Sequence, residues 1–459
     1  MNRLLLIALV FLCAPVTSLG QMDHTLYGFR TVPQSIKMNP AMRPYSKVNT
    51  TLIPAFSSFS VGANTSGLVF NDLSGTVDAT RFEEALDRMK DRNFLSTNIE
   101  LELLHAGFKL GKNYFSASAT ERARFSLVYP ADLVRLVWEG NGKTFLGERA
   151  NMDNLALNAE WYREYGVGVQ RTVAKSLHIG ARVKYVTGFY NVNTRNSQLG
   201  LYTDSLSFDL ALDGAFELNT SGIIDDNADD LLGDTSGFQF NPQDLLFTNN
   251  NGFGLDVGIF YEGESGLNIS ASVINIGQLT WREKVKTYDN ADISFNFSGV
   301  PIDDILNNGD DSSATSSLEL LQDSLTSIFG VGENENPYNT ALPTQGFISF
   351  NQSFFDILEV GVLGTARYQD QVIRMGVRAS GSVFLGKWLG FSMNYGVYGG
   401  SFVNVGAGLS LAAGPVQFYA MSDNVLAFIR PYESKNGSVR VGFNLVIGKE
   451  AKAKLKVRA

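Results

Sequence analysis

The chain carries three histidines, His24, His105 and His178, far apart in sequence and outside any HExxH-type spacing. A zinc site and a Ser-His-Asp triad of known order both need partners in a fixed pattern, and no nucleophile motif is present. The single cysteine, Cys13, lies in an N-terminal apolar run, so disulfides, thiolate ligands and cysteine catalysis are not expected in the mature protein. These residues predict no catalytic site, no metal and no cofactor. What remains is charge in regular alternation. Arg182 and Lys184, Arg374 and Arg378, and Arg440 stand against Asp209, Asp213, Glu217 and Asp256. Spacings of two and four place side chains on one face of a strand. An Arg or Lys on the lipid face of a membrane strand costs about 2–4 kcal/mol at the midplane, so all of these charges are expected to face a lumen. There they form either an ion-pair network that fills and stiffens a plugged barrel or a cationic patch that guides an anionic ligand.

The elements that must position these charges are strands. Ile373, Met375, Val377, Ala379, Val383 and Leu385 alternate with Arg374, Gly376, Arg378, Ser380 and Ser382, with Phe384 the one exception. Val403 to Leu411 and Val439 to Ile447 repeat the pattern, with Asn404 and Asn444 in the polar phase. One-sided strands of about 10 residues separated by turns mark an outer-membrane β-barrel, antiparallel and all-β. Further strands are expected at 48–64, interrupted by Pro54, and at 114–129, 155–173, 177–190, 197–203, 206–218, 253–262, 267–276, 279–288, 293–298, 346–354, 359–368, 389–399 and 415–421. The count is roughly 14 to 18, and an even number is expected of a closed single-chain barrel. From Ile99 the apolar phase flips after Leu104, which predicts a bulge near Leu104 and His105. Residues 79–94 place Phe82, Leu86 and Met89 at helical spacing, a short loop helix packed on the barrel rim.

Residues 1–20 combine one cation, Arg3, a run from Leu4 to Cys13, and small Ser18 and Gly20. That is the pattern of a secretory leader cut after Gly20, and bulky Leu12 before Cys13 argues against lipidation. The net charge of −9 leaves no electrostatic footprint for nucleic acid. Residues 21–47 contain Pro33, Pro40 and Pro44, too many prolines for a central strand. With apolar Phe29, Val32, Ile36, Met38 and Met42, this segment is expected to fold inside the barrel as a plug. The barrel itself spans 48–448, and 449–459 is a basic periplasmic tail. Long acidic stretches at 221–251 and 299–342 are expected outside the membrane, the second with a helix over 316–329. They read as solvated loops, without the 12-residue spacing of a calcium loop.

Asn39-Pro40-Ala41, after Pro33-Gln34 and before the first strand, resembles the NPA motif in the plug of FadL-type outer-membrane transporters. Gly28 to Pro44, Tyr165 to Gly168, Gly180 to Tyr185, Asn275 to Gly277 and Ser422 to Asn424 together resemble a Bacteroidetes-type family of FadL-like barrels. The resemblance implies a barrel of about 14 strands with Pro33, Asn39, Pro40 and Ala41 in the plug. It implies one of two roles: a channel for a small hydrophobic or amphipathic compound, or a non-conducting PorV-like scaffold or shuttle that holds another protein through its long loops. Outer-membrane lipid is the partner common to both.

Overall fold

The computed structural model describes residues 24–449 apart from 55, 70–78, 223–247, 298–335, 356, 370–371, 387, 399–400 and 432. The expected leader, the acidic runs at 225–234 and 303–311, the 316–329 helix and residues 450–459 of the tail lie outside the described residues. The strands are β1 Ser46–Thr51, β2 Ser58–Thr65, β3 Asn93–Leu110, β4 Asn113–Tyr129, β5 Arg149–Asn151, β6 Ala156–Ala174 and β7 Leu177–Thr203. Then come β8 Leu210–Gly222, β9 Asn251–Glu262, β10 Leu267–Trp281, β11 Lys286–Phe297, β12 Tyr338–Ala341 and β13 Thr344–Phe354. The chain ends with β14 Leu358–Gln369, β15 Val372–Leu385, β16 Leu389–Tyr398, β17 Ser401–Ala413, β18 Val416–Ser422 and β19 Asn436–Lys449.

They close into a 14-stranded antiparallel barrel of the outer-membrane type. β1 and β2 act as one wall strand broken around Pro54, since both pair with β3 on one side and β19 on the other. β12 and β13 likewise share the flank of β10, while β5, β8 and β11 stand outside the circuit. No helix of the described residues is long and apolar enough to cross a membrane; the crossing is made by strands. Alternation sorts the two faces. Ile373 and Val403 are each 61% exposed on the outside, whereas Asn404 and Asn444 are fully buried inside. A continuous belt of bare Val, Ile, Leu and Phe is stable only against lipid. Trp388, Phe355, Tyr261 and the stacked Phe108–Phe115 pair lie at the short-turn end of the barrel, where aromatic rings suit a membrane interface.

The bulge expected near Leu104 and His105 is present, with the β3–β4 register shifting between Glu102 and Leu104. Four sequence readings are corrected. The segments read as 177–190 and 197–203 are one strand, β7, whose lower part pairs with β9 and whose upper part pairs with β8. The strand read at 279–288 is instead the end of β10, a turn and the start of β11. Asp209, Asp213 and Glu217 do not face the lumen. They sit on the β7–β8 hairpin beyond the wall, where Asp213 is exposed and pairs with Arg149 at 3.0 Å. The expected loop helix is shorter than read, Ala79–Asp87, and packs Phe82 on Trp138 of a second loop helix, Ala131–Glu139.

Candidate functional site: the occupied lumen

Residues 24–45 lie inside the barrel. A short helix, His24–Tyr27, and a 3-10 turn, Pro33–Lys37, are buried throughout. Pro33 opens that turn, where its missing N–H costs nothing. Leu26, Tyr27, Phe29, Val32, Met38, Ala41 and Met42 form one apolar cluster with Phe260, Ile274, Phe347, Leu363, Phe384, Tyr419 and Met421 from the wall. Phe384, the one apolar residue in a polar phase, meets Phe29 edge-on with ring centroids 5.9 Å apart. Burying a side chain of this size is worth about 1.5–3 kcal/mol.

Polar groups of the segment are answered by inward side chains. The backbone N–H groups of His24 and Thr25 donate to the Asp423 carboxylate at 3.3 and 2.8 Å, and the Gln417 amide donates to the Thr31 carbonyl at 2.8 Å. Gln34 and Asn444 exchange amide hydrogen bonds at 2.9 and 3.0 Å, and Gln34 also donates to Glu102 at 2.7 Å. Lys37 lies 2.9 Å from both Glu100 and Glu102. Asn39 donates to the Tyr27 hydroxyl at 3.2 Å and to the Ile259 and Ala271 carbonyls at 3.3 Å, and its own carbonyl oxygen accepts from Ala41 N–H at 2.9 Å. The wall makes room for this stretch with glycine: a Cβ on Gly180 would fall 2.2 Å from the Pro40 carbonyl, and one on Gly258 2.1 Å from the Asn39 Oδ1. Such contacts cannot exist, so the Asn39–Pro40 stretch fits against these strands only because both positions lack a side chain.

Of the nine charges expected in the lumen, Arg182, Lys184, Arg374, Arg378, Arg440 and Asp256 are buried, and the five cations among them do not form one patch. Lys184 pairs with Asp256 at 2.8 Å; Arg182 donates to Ser118; Arg378 donates to the His24 carbonyl. Arg374 stacks its guanidinium over Phe94. Arg440 bonds Ser58 at 2.7 Å and Glu100 at 3.1 Å.

Sequence reasoning missed the partners on β3, β4 and β6. Glu100 also holds Arg122 at 2.8 Å, Arg122 reaches Glu164 at 3.0 Å, and Arg124 pairs with Glu160 at 2.9 Å. The signal was available: Glu100 with Glu102, Arg122 with Arg124, and Glu160 with Glu164 repeat at even spacing. Beside the segment, these strands and the tops of β13 and β14 enclose a cavity of about 70 Å³ lined by Arg122, Arg124, Arg367, Arg440, Glu100, Glu160 and Tyr162. Tyr162 continues into an apolar cluster with Val186, Leu279, Trp281 and Tyr338.

A family model described as a family of unknown function, DUF5723, matches residues 40–423. Among curated proteins nothing matches the chain. Solved structures similar to it include the Ralstonia pickettii toluene transporter TbuX, at 11% identity and a TM-score of 0.38 over 90% of this chain and 93% of that one. The Pseudomonas putida toluene transporter TodX matches at 9% identity and a TM-score of 0.35, covering 94% of each chain. A Pseudomonas aeruginosa FadL homologue matches at 8% identity and a TM-score of 0.38 over 89% of this chain and 93% of that one. Likeness at this level carries no substrate from those channels to this chain.

Proposed function

The chain belongs to DUF5723, a family of unknown function, and from its filled lumen we propose that it is an outer-membrane barrel that admits a small amphipathic compound past an N-terminal plug, without catalysis. The observation that carries this is the seating of residues 24–45. Their apolar side chains pack on the wall while Gln34, Lys37 and Asn39 spend their polar groups on lumen partners. Such a segment blocks the path, and its contacts are numerous but individually breakable.

An amphipathic solute fits better than a purely hydrophobic one. The cavity beside the plug is lined by guanidinium and carboxylate groups together with Tyr162, Ile99, Ala123 and Pro343, and a bare hydrocarbon there leaves those charges without water. The lipid-facing belt and the leader pattern of residues 1–20 support an outer-membrane location for this reading.

Proteoliposomes carrying intact protein or Gly180→Val test this reading. The valine collides with Pro40, so the variant is expected to pass small amphipathic tracers faster than the intact barrel. Equal flux from two equally folded proteins contradicts it.

A second reading rests on one observation. At the tip of the β7–β8 hairpin Leu206 is 89% and Phe208 57% exposed, far from any lipid face, and bare apolar side chains at a loop tip suit a protein partner. That reading makes the barrel a scaffold. It expects Leu206→Ser with Phe208→Ser to abolish co-purification of a surface protein while leaving flux unchanged.

A further inference from the structure

A second, smaller cavity lies at the seam between the plug and the wall. It measures about 10 Å³, and its lining includes Ile36 and Pro40 of the plug and Ser116, Gly168, Gln170 and Arg182 of β4, β6 and β7. Arg182 is only 3% exposed. Its guanidinium lies over Gly166, where a Cβ would fall 2.3 Å from Nη2, and that Nη2 donates to the Ser118 hydroxyl. Nε and Nη1 have no hydrogen-bond partner. Asp256 stands directly across the β7–β9 ladder, but its Oδ1 is held by Lys184 at 2.8 Å and by the Asn275 N–H at 2.7 Å. Among the described residues Arg182 forms no ion pair. A buried guanidinium without a counter-charge is costly, and each donor left unmatched adds to the cost.

We infer that this seam is a binding site for a monatomic anion of the halide class, chloride being the abundant one, held by Nε and Nη1 of Arg182. Size selects the class: the cavity takes about one water-sized sphere, too little for a carboxylate, phosphate or sulfate. A water of that size satisfies the N–H groups but leaves the charge unbalanced, whereas an anion does both. The Ser116 hydroxyl borders the same space and is a further donor. Gln170 completes the shell by one rotation. Its Nε2 lies 3.1 Å from His178 Nδ1, and its Oε1 has no partner. Turning the amide over aims Nε2 at the anion and lets a His178 Nδ1–H donate to Oε1. Because Ile36 and Pro40 form the plug side of the cavity, the anion is enclosed only while the plug is seated, and it pins the plug against β6 and β7 in return. The site goes beyond the proposed function: it needs residues 24–45 in place but no solute flux.

The test uses bromide, which scatters X-rays anomalously, in crystals of the full chain, beside thermal unfolding in chloride and in gluconate at equal ionic strength. An anomalous peak within hydrogen-bonding distance of Arg182 Nε or Nη1 is expected. The unfolding midpoint should be higher in chloride and rise with the logarithm of its concentration once the site fills. Arg182→Met removes the donors and should lose both signals. Gln170→Glu sets a resident carboxylate beside the guanidinium and should lose both as well. It keeps the test open where Arg182→Met fails to fold, as judged by heat-modifiable mobility on gels. Density at Arg182 without an anomalous signal is a water and overturns the inference. A bromide peak that persists in folded Gln170→Glu overturns it, and so do equal midpoints of the intact chain in the two salts. No peak in a barrel that Gly180→Val opens removes the site and leaves the proposed function standing. A peak in a barrel that Gly180→Val does not open supports the site and counts against the gated path alone.

Discussion

Two sectors of one lumen, built by strands of the same alternating kind, meet opposite demands. In the sector taken by residues 24–45 the wall presents Phe260, Phe347, Phe384 and Tyr419 together with glycines at the close approaches. In the neighbouring sector β3, β4, β6 and β19 present Glu100, Arg122, Arg124, Glu160 and Arg440 around open space. Apolar groups and a backbone can fill a dry volume; charges that cannot be dried are left a cavity with water. The difference teaches that the inward polar phase is not uniform filler. Where it turns apolar or loses its side chain, the chain's own N-terminus lies against it, and where Glu100, Arg122, Arg124, Glu160, Arg367 and Arg440 converge, a cavity of about 70 Å³ remains.

Lys37 bridges the two sectors, so its removal gives the largest expected effect. Lys37→Met strips buried Glu102 of the ammonium 2.9 Å away. Breaking one partner of a buried ion pair costs about 3–5 kcal/mol. Limited proteolysis should then cut residues 24–45 in a barrel that resists cleavage elsewhere; a segment as protected as in the intact chain breaks the comparison.

The next effect tests the faces. Val441→Arg places a cation in lipid at a cost of about 2–4 kcal/mol if it lies near the midplane. Ser438→Ala loses only the hydrogen bond that Ser438 accepts from the Asp423 N–H at 3.0 Å, about 1 kcal/mol. Urea titration of the refolded barrels compares them, and equal costs mean that the register is wrong. Asn444 is no neutral control, because its amide is bound to Gln34.

Outside the lumen the same charges are worth little. Arg149→Ala breaks an exposed pair with Asp213, and the expected change in midpoint corresponds to at most about 1 kcal/mol. A loss as large as that of Lys37→Met removes the distinction between sectors and surface. Smallest is a pH effect at the hairpin tip. The Asp204 carboxylate is held below its ordinary value by the backbone N–H groups of Ser207 and then Leu206. A lowered pKa stabilises the folded turn above the unfolded value and is lost as pH falls through the folded one. The protection of the Leu206 and Ser207 amides, relative to the intrinsic exchange rate at each pH, should therefore fall below about pH 4, with no change in the barrel.

The wall was legible because lipid enforces alternation: the strands ending at Leu385, Ala413 and Lys449 and the bulge at Leu104 follow from period two, and the interruption at Pro54 from the N–H that proline lacks. Phe384 was legible as an exception, and its partner Phe29 explains it. The upper half of β7 was not. Over Asn191–Asn196 only Val192 is apolar, packed with Leu218 and Tyr288, and the alternation that marks a membrane strand disappears. The same loss of constraint sent Asp209, Asp213 and Glu217 to the wrong side. The Glu100 cluster was half legible: its members alternate correctly, but Lys37, Arg122 and Arg440 are brought together by a register that no local pattern contains.

The central claim is that residues 24–45 close this barrel. Planar-bilayer recordings of the chain lacking residues 24–44, beside the intact chain at equal refolded amounts, test it most directly. The account predicts low conductance from the intact protein and a steady, larger conductance from the shortened one, with similar heat-modifiable mobility in both. A folded, shortened barrel that conducts no more than the intact one contradicts it.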